Sequence, residues 1–157
     1  MAVIKREMMR AVMLVGKSIV SSGIQEESHQ FRGLSGDGIV NVLVVDDDEG
    51  IRETMGDILR EMGVHVSLAR DGLEAIEITK QETTDLIMMD LRMPGIDGLQ
   101  TSKRILSIQP EARIILVTAY ATEETFTAAR RAGLQDVMYK PLDLARLKDL
   151  LKKEKYC

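Results

Sequence analysis

Leu-Ile-Met-Met-Asp-Leu-Arg-Met-Pro-Gly-Ile-Asp-Gly, residues 86–98, joins a short apolar run to a polar turn. The apolar part, residues 86–89, is bounded on both sides by Asp, as is typical of a strand buried in a parallel sheet. Asp90 ends the run, and Pro94 then interrupts regular structure before a helical pattern begins at Leu99. The stretch therefore predicts a buried strand that carries a carboxylate at its end.

The same pattern recurs on both sides of this stretch. Five apolar runs lie at residues 42–45, 64–68, 86–89, 114–117 and 136–139. Apolar residues at spacings of three and four predict helices at residues 51–62, 73–79, 99–107, 123–132 and 144–153. Five strand–helix units in succession predict an α/β fold, with one doubly wound, five-stranded parallel sheet and helices on both faces.

Residues 1–38 do not continue this alternation. Residues 1–22 have a net charge of +3, from four basic residues and one acidic residue, and their apolar positions have helical spacing: Ile4, Met8, Val12, Val15 and Ile19. Residues 21–38 are rich in Ser, Gly and polar residues, as flexible linkers are. We therefore predict an N-terminal extension over residues 1–38, consisting of a candidate helix and a linker, and one domain over residues 39–157.

Three interpretations of this extension remain open. It is a helix for partner docking or dimerisation, a helix that lies on a membrane surface, or an appendage without function. The third interpretation includes translation from a start codon upstream of a native start near Val40. The predicted domain is complete without the extension, which favours the third interpretation.

The composition argues against several classes of protein. The net charge of −4 gives no electrostatic reason to expect nucleic-acid binding, which rewards clustered Lys and Arg. No apolar run approaches the roughly 18–20 residues needed to cross a bilayer, so no membrane-spanning segment is expected, and no membrane partner is predicted for the domain. The lone Cys157 cannot form an internal disulfide, which indicates a reducing, cytoplasmic location.

Four of the predicted strands are followed by polar or charged residues: Asp46, Asp47 and Asp48 after the first, Asp90 after the third, Thr118 after the fourth and Lys140 after the fifth. In parallel α/β sheets, ligands bind beyond the carboxyl ends of the strands. These side chains are therefore expected to converge at one edge. The simpler alternative is that the acids only cap the helices that follow them.

A cluster of carboxylates at this edge requires a cation. Two carboxylates about 4 Å apart repel each other by roughly 4 kcal/mol at an effective dielectric constant near 20. Lys140 would compensate one of the three charges of Asp46, Asp47 and Asp90, and a divalent ion would cancel the remaining two. Oxygen ligands favour Mg²⁺, or Mn²⁺, over zinc.

The sequence resembles the receiver domains of two-component response regulators over residues 41–153. The motifs that carry the resemblance are Val-Val-Asp-Asp at 44–47, Met-Asp-Leu-Arg-Met-Pro-Gly-Ile-Asp-Gly at 89–98, Val-Thr-Ala at 117–119 and Lys-Pro at 140–141. The resemblance implies a flavodoxin-like strand order of 2-1-3-4-5. Only the last helix is expected after Pro141, which makes the chain similar to the stand-alone regulators of chemotaxis and sporulation.

The resemblance also implies roles for single residues in metal binding. Asp47 and Asp90 would bind the metal ion directly, and Asp46 would bind it largely through water. The backbone carbonyl of Arg92 would complete the protein ligands.

A second set of implied roles concerns phosphoryl transfer. Asp90 would accept a phosphoryl group from the phosphohistidine of a sensor histidine kinase or a phosphotransfer protein. Thr118 would donate its hydroxyl to a phosphoryl oxygen, and Lys140 would pair with Asp90. The bond from Lys140 to Pro141 would be cis.

The sequence departs from the family pattern at one position. Receivers often have Tyr or Phe three residues before the Lys, as the partner of the switch Thr, whereas this chain has Val137. Tyr139 would share the strand face of Val137 but lie nearer the strand end. In addition, Arg92 and Tyr120 would flank the phosphoryl group and block the water that hydrolyses it, which predicts a long-lived phosphorylated state.

Two functions of different class follow. The first is a signalling receiver, not an enzyme, that is phosphorylated on Asp90 and signals through a changed surface. The second is a haloacid-dehalogenase-like phosphatase that uses Asp46 and Asp48 as a D-x-D motif. The second leaves Asp90 and its Met-Pro-Gly loop unexplained.

Overall fold

The computed structural model describes residues 40–152, so the predictions for residues 1–38 lie outside the described part of the chain. The strands are β1 (Asn41–Val45), β2 (His65–Ala69), β3 (Leu86–Asp90), β4 (Arg113–Thr118) and β5 (Asp136–Tyr139). The helices are α1 (Glu49–Glu61), α2 (Gly72–Gln81), α3 (Gly98–Ile108), α4 (Glu123–Arg131) and α5 (Leu144–Lys152). All five predicted strand–helix units are confirmed. Within this part of the chain, no helix has the length and apolar composition that a bilayer crossing requires.

The predicted boundaries are wrong by one or two residues at several ends, for local reasons. The second strand begins at His65 rather than Val64 because Gly63 still turns the chain with a φ of 83°. The pairing of β2 with β1 then starts with His65 opposite Asn41. Helix α1 begins at Glu49, two residues before the apolar pattern, because Asp48 caps it there. Its first two residues, Glu49 and Gly50, have no apolar side chain that would mark the start.

The five strands form one parallel sheet in the order β2-β1-β3-β4-β5, as expected. The order of connection reverses between the neighbouring strands β1 and β3. In doubly wound sheets this reversal opens a crevice at the carboxyl ends of the strands. The ends of β1 and β3, where Asp46 and Asp90 lie, therefore border the crevice.

Two hydrophobic cores cover the two faces of the sheet. Successive side chains of a strand point to opposite faces, so Val42 and Val44 join one core and Leu43 and Val45 join the other. The first core contains apolar side chains of α1 and α5, and the second contains those of α2, α3 and α4. With both faces covered, the polar residues at the strand ends are confined to the rim.

All five helices begin with a side chain that caps the N-terminus. The capping side chains of Asp48, Asp71, Asp97, Thr122 and Asp143 each accept a hydrogen bond from the backbone N–H three residues later. Such caps satisfy backbone donors that have no partner within the helix. Capping therefore explains Asp48 and Asp97, but it leaves Asp46, Asp47 and Asp90 to another role.

Candidate functional site

Backbone hydrogen bonds continue beyond the strand ends and fix the residues that follow them. The N–H of Asp46 donates to the carbonyl of Ala69 (3.2 Å), which extends the pairing of β1 with β2. The N–H of Lys140 donates to the carbonyl of Thr118 (2.9 Å), which does the same for β5 and β4. The site residues are thus placed by the regular sheet.

Three carboxylates meet at this edge. One oxygen each of Asp46, Asp47 and Asp90 lies within 4.8 Å of the other two. Asp46 is 4% exposed and Asp90 8% exposed, whereas Asp47 is exposed to solvent. The cluster is therefore closed on the sheet side and open toward Asp47, where an ion could enter.

Lys140 is inserted between two of these acids. Its Nζ lies 2.5 Å from Oδ2 of Asp46 and 3.3 Å from Oδ1 of Asp90. The Lys140-Pro141 peptide bond is cis, as expected. The expected pair with Asp90 is present, but the shorter contact is with Asp46, which the sequence did not reveal.

The electrostatics of the pocket favour a further cation. Burial raises the pKa of Asp90 to about 7; the charges of Asp46 and Asp47 add to this shift, and Lys140 opposes it. Burial lowers the pKa of Lys140, but the neighbouring carboxylates of Asp46 and Asp90 more than offset that effect and the pKa is raised. Three carboxylates and one ammonium leave two negative charges, and the oxygen donors suit Mg²⁺ or Mn²⁺. The residues present therefore fit a divalent metal ion.

The loop between β3 and α3 folds back against Asp90. Gly98 is required for this close approach, because a Cβ at that position would collide with the backbone carbonyl oxygen of Asp90. Its N–H donates to the carbonyl of Leu91 (2.9 Å), and Gly95 turns the loop with a φ of 84°. Arg92, which lies in this loop two residues after Asp90, is exposed to solvent.

The family model of the response regulator receiver domain matches residues 42–152 of the chain. This chain belongs to the response regulator receiver family. Its fold, its order of strands and its acidic edge agree with the resemblance stated above. Receiver domains of response regulators are signalling domains rather than classical enzymes, and they bind Mg²⁺ at an acidic pocket.

Three known proteins illustrate the similarity. Sporulation initiation phosphotransferase F of Bacillus subtilis is 32% identical over 112 residues, which cover 71% of this chain and 90% of that protein. Transcriptional regulatory protein ZraR of Salmonella typhimurium is 37% identical over 116 residues, 74% of this chain. The response regulator protein TrrA from Thermotoga maritima, solved with Mg²⁺ and BeF, has a TM-score of 0.67 at 33% identity and covers 74% of this chain and 99% of its own.

The relatives differ in overall length. This chain spans 26% of the length of the ZraR protein. The comparison with ZraR therefore concerns its receiver portion, and the similarity to phosphotransferase F covers most of both chains.

The hydroxyl of Thr118 in this receiver domain is held by the main chain of Tyr120. Its oxygen lies 3.2 Å from both the nitrogen and the carbonyl oxygen of Tyr120, so it accepts one hydrogen bond and donates the other. The guanidinium carbon of Arg92 lies 5.9 Å from the centre of the Tyr120 ring. The sequence placed Arg92 and Tyr120 beside the site but revealed neither contact. A Thr two residues before a loop residue is only a weak signal for the hydrogen bonds between Thr118 and Tyr120.

The departure at position 137 is clear in the structure. Val137 is 4% exposed and packs in the core beneath α4. Tyr139 lies on the same face nearer the strand end, as predicted, and its ring is 51% exposed and 6.1 Å from that of Phe126. The position of the usual aromatic is therefore filled by a small aliphatic side chain.

The phosphatase alternative receives no support. Asp48, its second acid, caps α1 by accepting from the N–H of Ile51 (3.2 Å). Its backbone N–H donates to Asp46 (2.9 Å), so the two acids form a turn. The family match covers Asp90 and its loop, which the alternative leaves unexplained.

Proposed function

We propose that this receiver domain accepts a phosphoryl group on Asp90 from the phosphohistidine of a sensor histidine kinase or a phosphotransfer protein. The observation that carries the proposal is the position of the Asp90 carboxylate, within 4.8 Å of two other acids and 3.3 Å from the Lys140 ammonium. Asp90 lies at the strand end where the other charged groups of the pocket converge.

The chain's own residues would hold the metal ion in the following way. Asp47 and Asp90 provide carboxylate oxygens, Arg92 provides its backbone carbonyl, and Asp46 acts largely through water. A bound Mg²⁺, or Mn²⁺, supplies positive charge that neutralises the phosphoryl oxygens. Asp47 is the exposed member of the cluster and so lies where the ion would enter.

The transfer itself needs little acid–base help. An oxygen of Asp90 bonds to phosphorus while the bond from phosphorus to the histidine nitrogen breaks, and the nitrogen leaves with the electron pair. Such reactions depend on in-line placement and on neutralisation of charge. Lys140 contributes neutralisation, and Thr118 donates its hydroxyl to a phosphoryl oxygen once it turns toward Asp90.

The phosphorylated domain then signals through a changed surface to a separate protein partner. Its only chemistry is its own phosphorylation and dephosphorylation. We place it in the cytoplasm, without a nucleic-acid or membrane partner, in keeping with its net charge and its lone cysteine.

The direct test of this function is incubation with acetyl phosphate and Mg²⁺, followed by intact-protein mass spectrometry. The expected result is one acyl phosphate per chain, sensitive to hydroxylamine, that requires the divalent ion. Sustained release of inorganic phosphate through Asp46, without a stoichiometric product at Asp90, would instead support the phosphatase alternative.

Metal binding should depend on Asp47 and not on Asp48. Asp47→Ala removes a direct ligand, and we expect Mg²⁺ affinity to fall at least about tenfold in calorimetric titration, since losing even a hydrogen-bonding partner of a ligand costs that much at other metal sites. Asp48→Ala is the matched control because it removes the adjacent acid. It should lower stability by about 1 kcal/mol through loss of the cap while Mg²⁺ affinity stays near that of the wild type. An equal loss of affinity in both variants would contradict the assignment of Asp47.

Removal of residues 1–38 should leave folding and phosphorylation unchanged. All five strand–helix units and the whole family match lie beyond these residues. The measurements are the thermal unfolding midpoint and the yield of acyl phosphate, compared with those of the full chain. An insoluble or unphosphorylated truncated protein would show that the extension is part of the domain.

A further inference from the structure

Tyr120 contacts both Arg92 and Thr118, the two residues that are expected to flank or bind a phosphoryl group on Asp90. Its ring lies 5.9 Å from the guanidinium carbon of Arg92, within the range of a cation–π contact. Its backbone nitrogen and carbonyl oxygen each lie 3.2 Å from the hydroxyl oxygen of Thr118. One residue thus binds Arg92 with its side chain and Thr118 with its main chain.

A phosphoryl group on Asp90 would compete with Tyr120 for both groups. Thr118 has one hydroxyl proton, so it cannot donate to Tyr120 and to a phosphoryl oxygen at the same time. The guanidinium of Arg92 binds phosphate oxygens strongly and in pairs, whereas its contact with an exposed ring is weak. Phosphorylation would therefore draw both groups away from Tyr120.

The position from which receivers often transmit the same event with an aromatic ring carries no ring in this chain. Val137 is buried at the position where receivers often have a Tyr or Phe. Its small aliphatic side chain cannot make the rotation between buried and exposed positions that an aromatic ring makes. The ring of Tyr139 is already exposed and rests against Phe126. The loop after β4, where Tyr120 lies, joins Thr118 directly to α4 and offers another route for the signal.

We propose that Tyr120 is a latch that holds Arg92 and Thr118 in the unphosphorylated state, and that its release is the conformational signal of this receiver. The proposal rests on the proposed function, since it needs a phosphoryl group at Asp90. Release frees a ring that is 50% exposed and the backbone of the loop before α4. The surface that changes on phosphorylation therefore includes this loop. Tyr120 acts as a positioning residue for Thr118.

The test measures affinity for beryllofluoride with Mg²⁺, a stable mimic of the phosphoryl group, in two variants of Tyr120. Tyr120→Phe keeps the ring face and should bind the mimic as the wild type does. Tyr120→Leu removes the aromatic ring but keeps the backbone. The contact between this ring and Arg92, which is made only when the mimic is not bound, therefore disappears. Its affinity should rise about two- to fivefold, which corresponds to an exposed cation–π contact.

A second background makes the result specific to Arg92. In a chain that carries Arg92→Gln, the change of Tyr120 to Leu should no longer tighten binding, because the contact is already absent. Equal affinity of the Phe and Leu variants, or the same gain in the Gln background, would overturn the latch alone. Failure of the wild type to bind the mimic at all would overturn the proposed function together with the latch.

Fluorine NMR of 3-fluorotyrosine protein gives an independent readout that a merely structural role would not change. The chain has three tyrosines, whose resonances are assigned by replacing each with Phe. Addition of beryllofluoride and Mg²⁺ should shift the resonance of Tyr120 and leave that of Tyr139 nearly unchanged. A shift at Tyr139 with none at Tyr120 would contradict the proposal.

Discussion

Asp90→Asn should abolish phosphorylation by acetyl phosphate. The amide keeps the shape of the carboxylate but is a poor nucleophile, so no acyl phosphate can form at this position. The fold should persist, because Lys140 retains its 2.5 Å contact with Asp46 and the repulsion between Asp46 and Asp90 is removed. The measurement is acid-labile, hydroxylamine-sensitive labelling, with circular dichroism as the check on folding.

Asp57→Asn is a suitable control for this experiment. Asp57 is an acid of α1 whose side chain is 74% exposed and pairs only at the surface with Arg60 (3.0 Å). It should be labelled to the same extent as the wild type. Full labelling of the Asp90 variant would show that another carboxylate is the acceptor and that the site assignment is wrong.

The double variant Arg92→Asn, Tyr120→Glu should lose its phosphoryl group about a hundredfold faster than the wild type. Hydrolysis needs a water molecule aligned opposite the acyl oxygen. The guanidinium of Arg92 has donors but no acceptor that could orient this water, and the ring of Tyr120 is bulky. Asn and Glu offer acceptors and open the approach, and each change is expected to lower the barrier by about 1.4 kcal/mol, or tenfold.

The decay is followed as loss of phosphoprotein in excess Mg²⁺ after the donor has been removed. Tyr139→Glu is the matched control, since Tyr139 is equally exposed but packs against Phe126 rather than Arg92. It should decay at the wild-type rate. A double variant that decays no faster than the wild type would rule out shielding by Arg92 and Tyr120.

The fold was predictable because its signals are local and repeated. Short apolar runs such as residues 86–89 alternate with helical patterns, and each pattern depends only on near neighbours in sequence. The ends of helices were predicted less well, since terminal residues such as Glu49 and Gly50 have no apolar side chains that would extend the periodic pattern.

The site was predictable in its composition but not in its contacts. Position at a strand end was enough to bring Asp46, Asp90 and Lys140 together, because the sheet fixes where strands end. The preference of Lys140 for Asp46 over Asp90 depends on side-chain rotamers, which the sequence does not reveal. The same holds for the contacts of Tyr120, which depend on the conformation of a loop.

The contact between Lys140 and Asp46 joins residues that are 94 positions apart in the chain. The acids of β1 and β3 leave the ribosome well before the lysine that compensates them, so pairing of the central strands without β5 would gather uncompensated negative charge at the rim. Addition of β5, the last strand to be made, brings the counter-charge to the rim. Assembly of the charged pocket is therefore expected to coincide with completion of the sheet. A partly synthesised chain has the acids of the acceptor site but lacks its lysine.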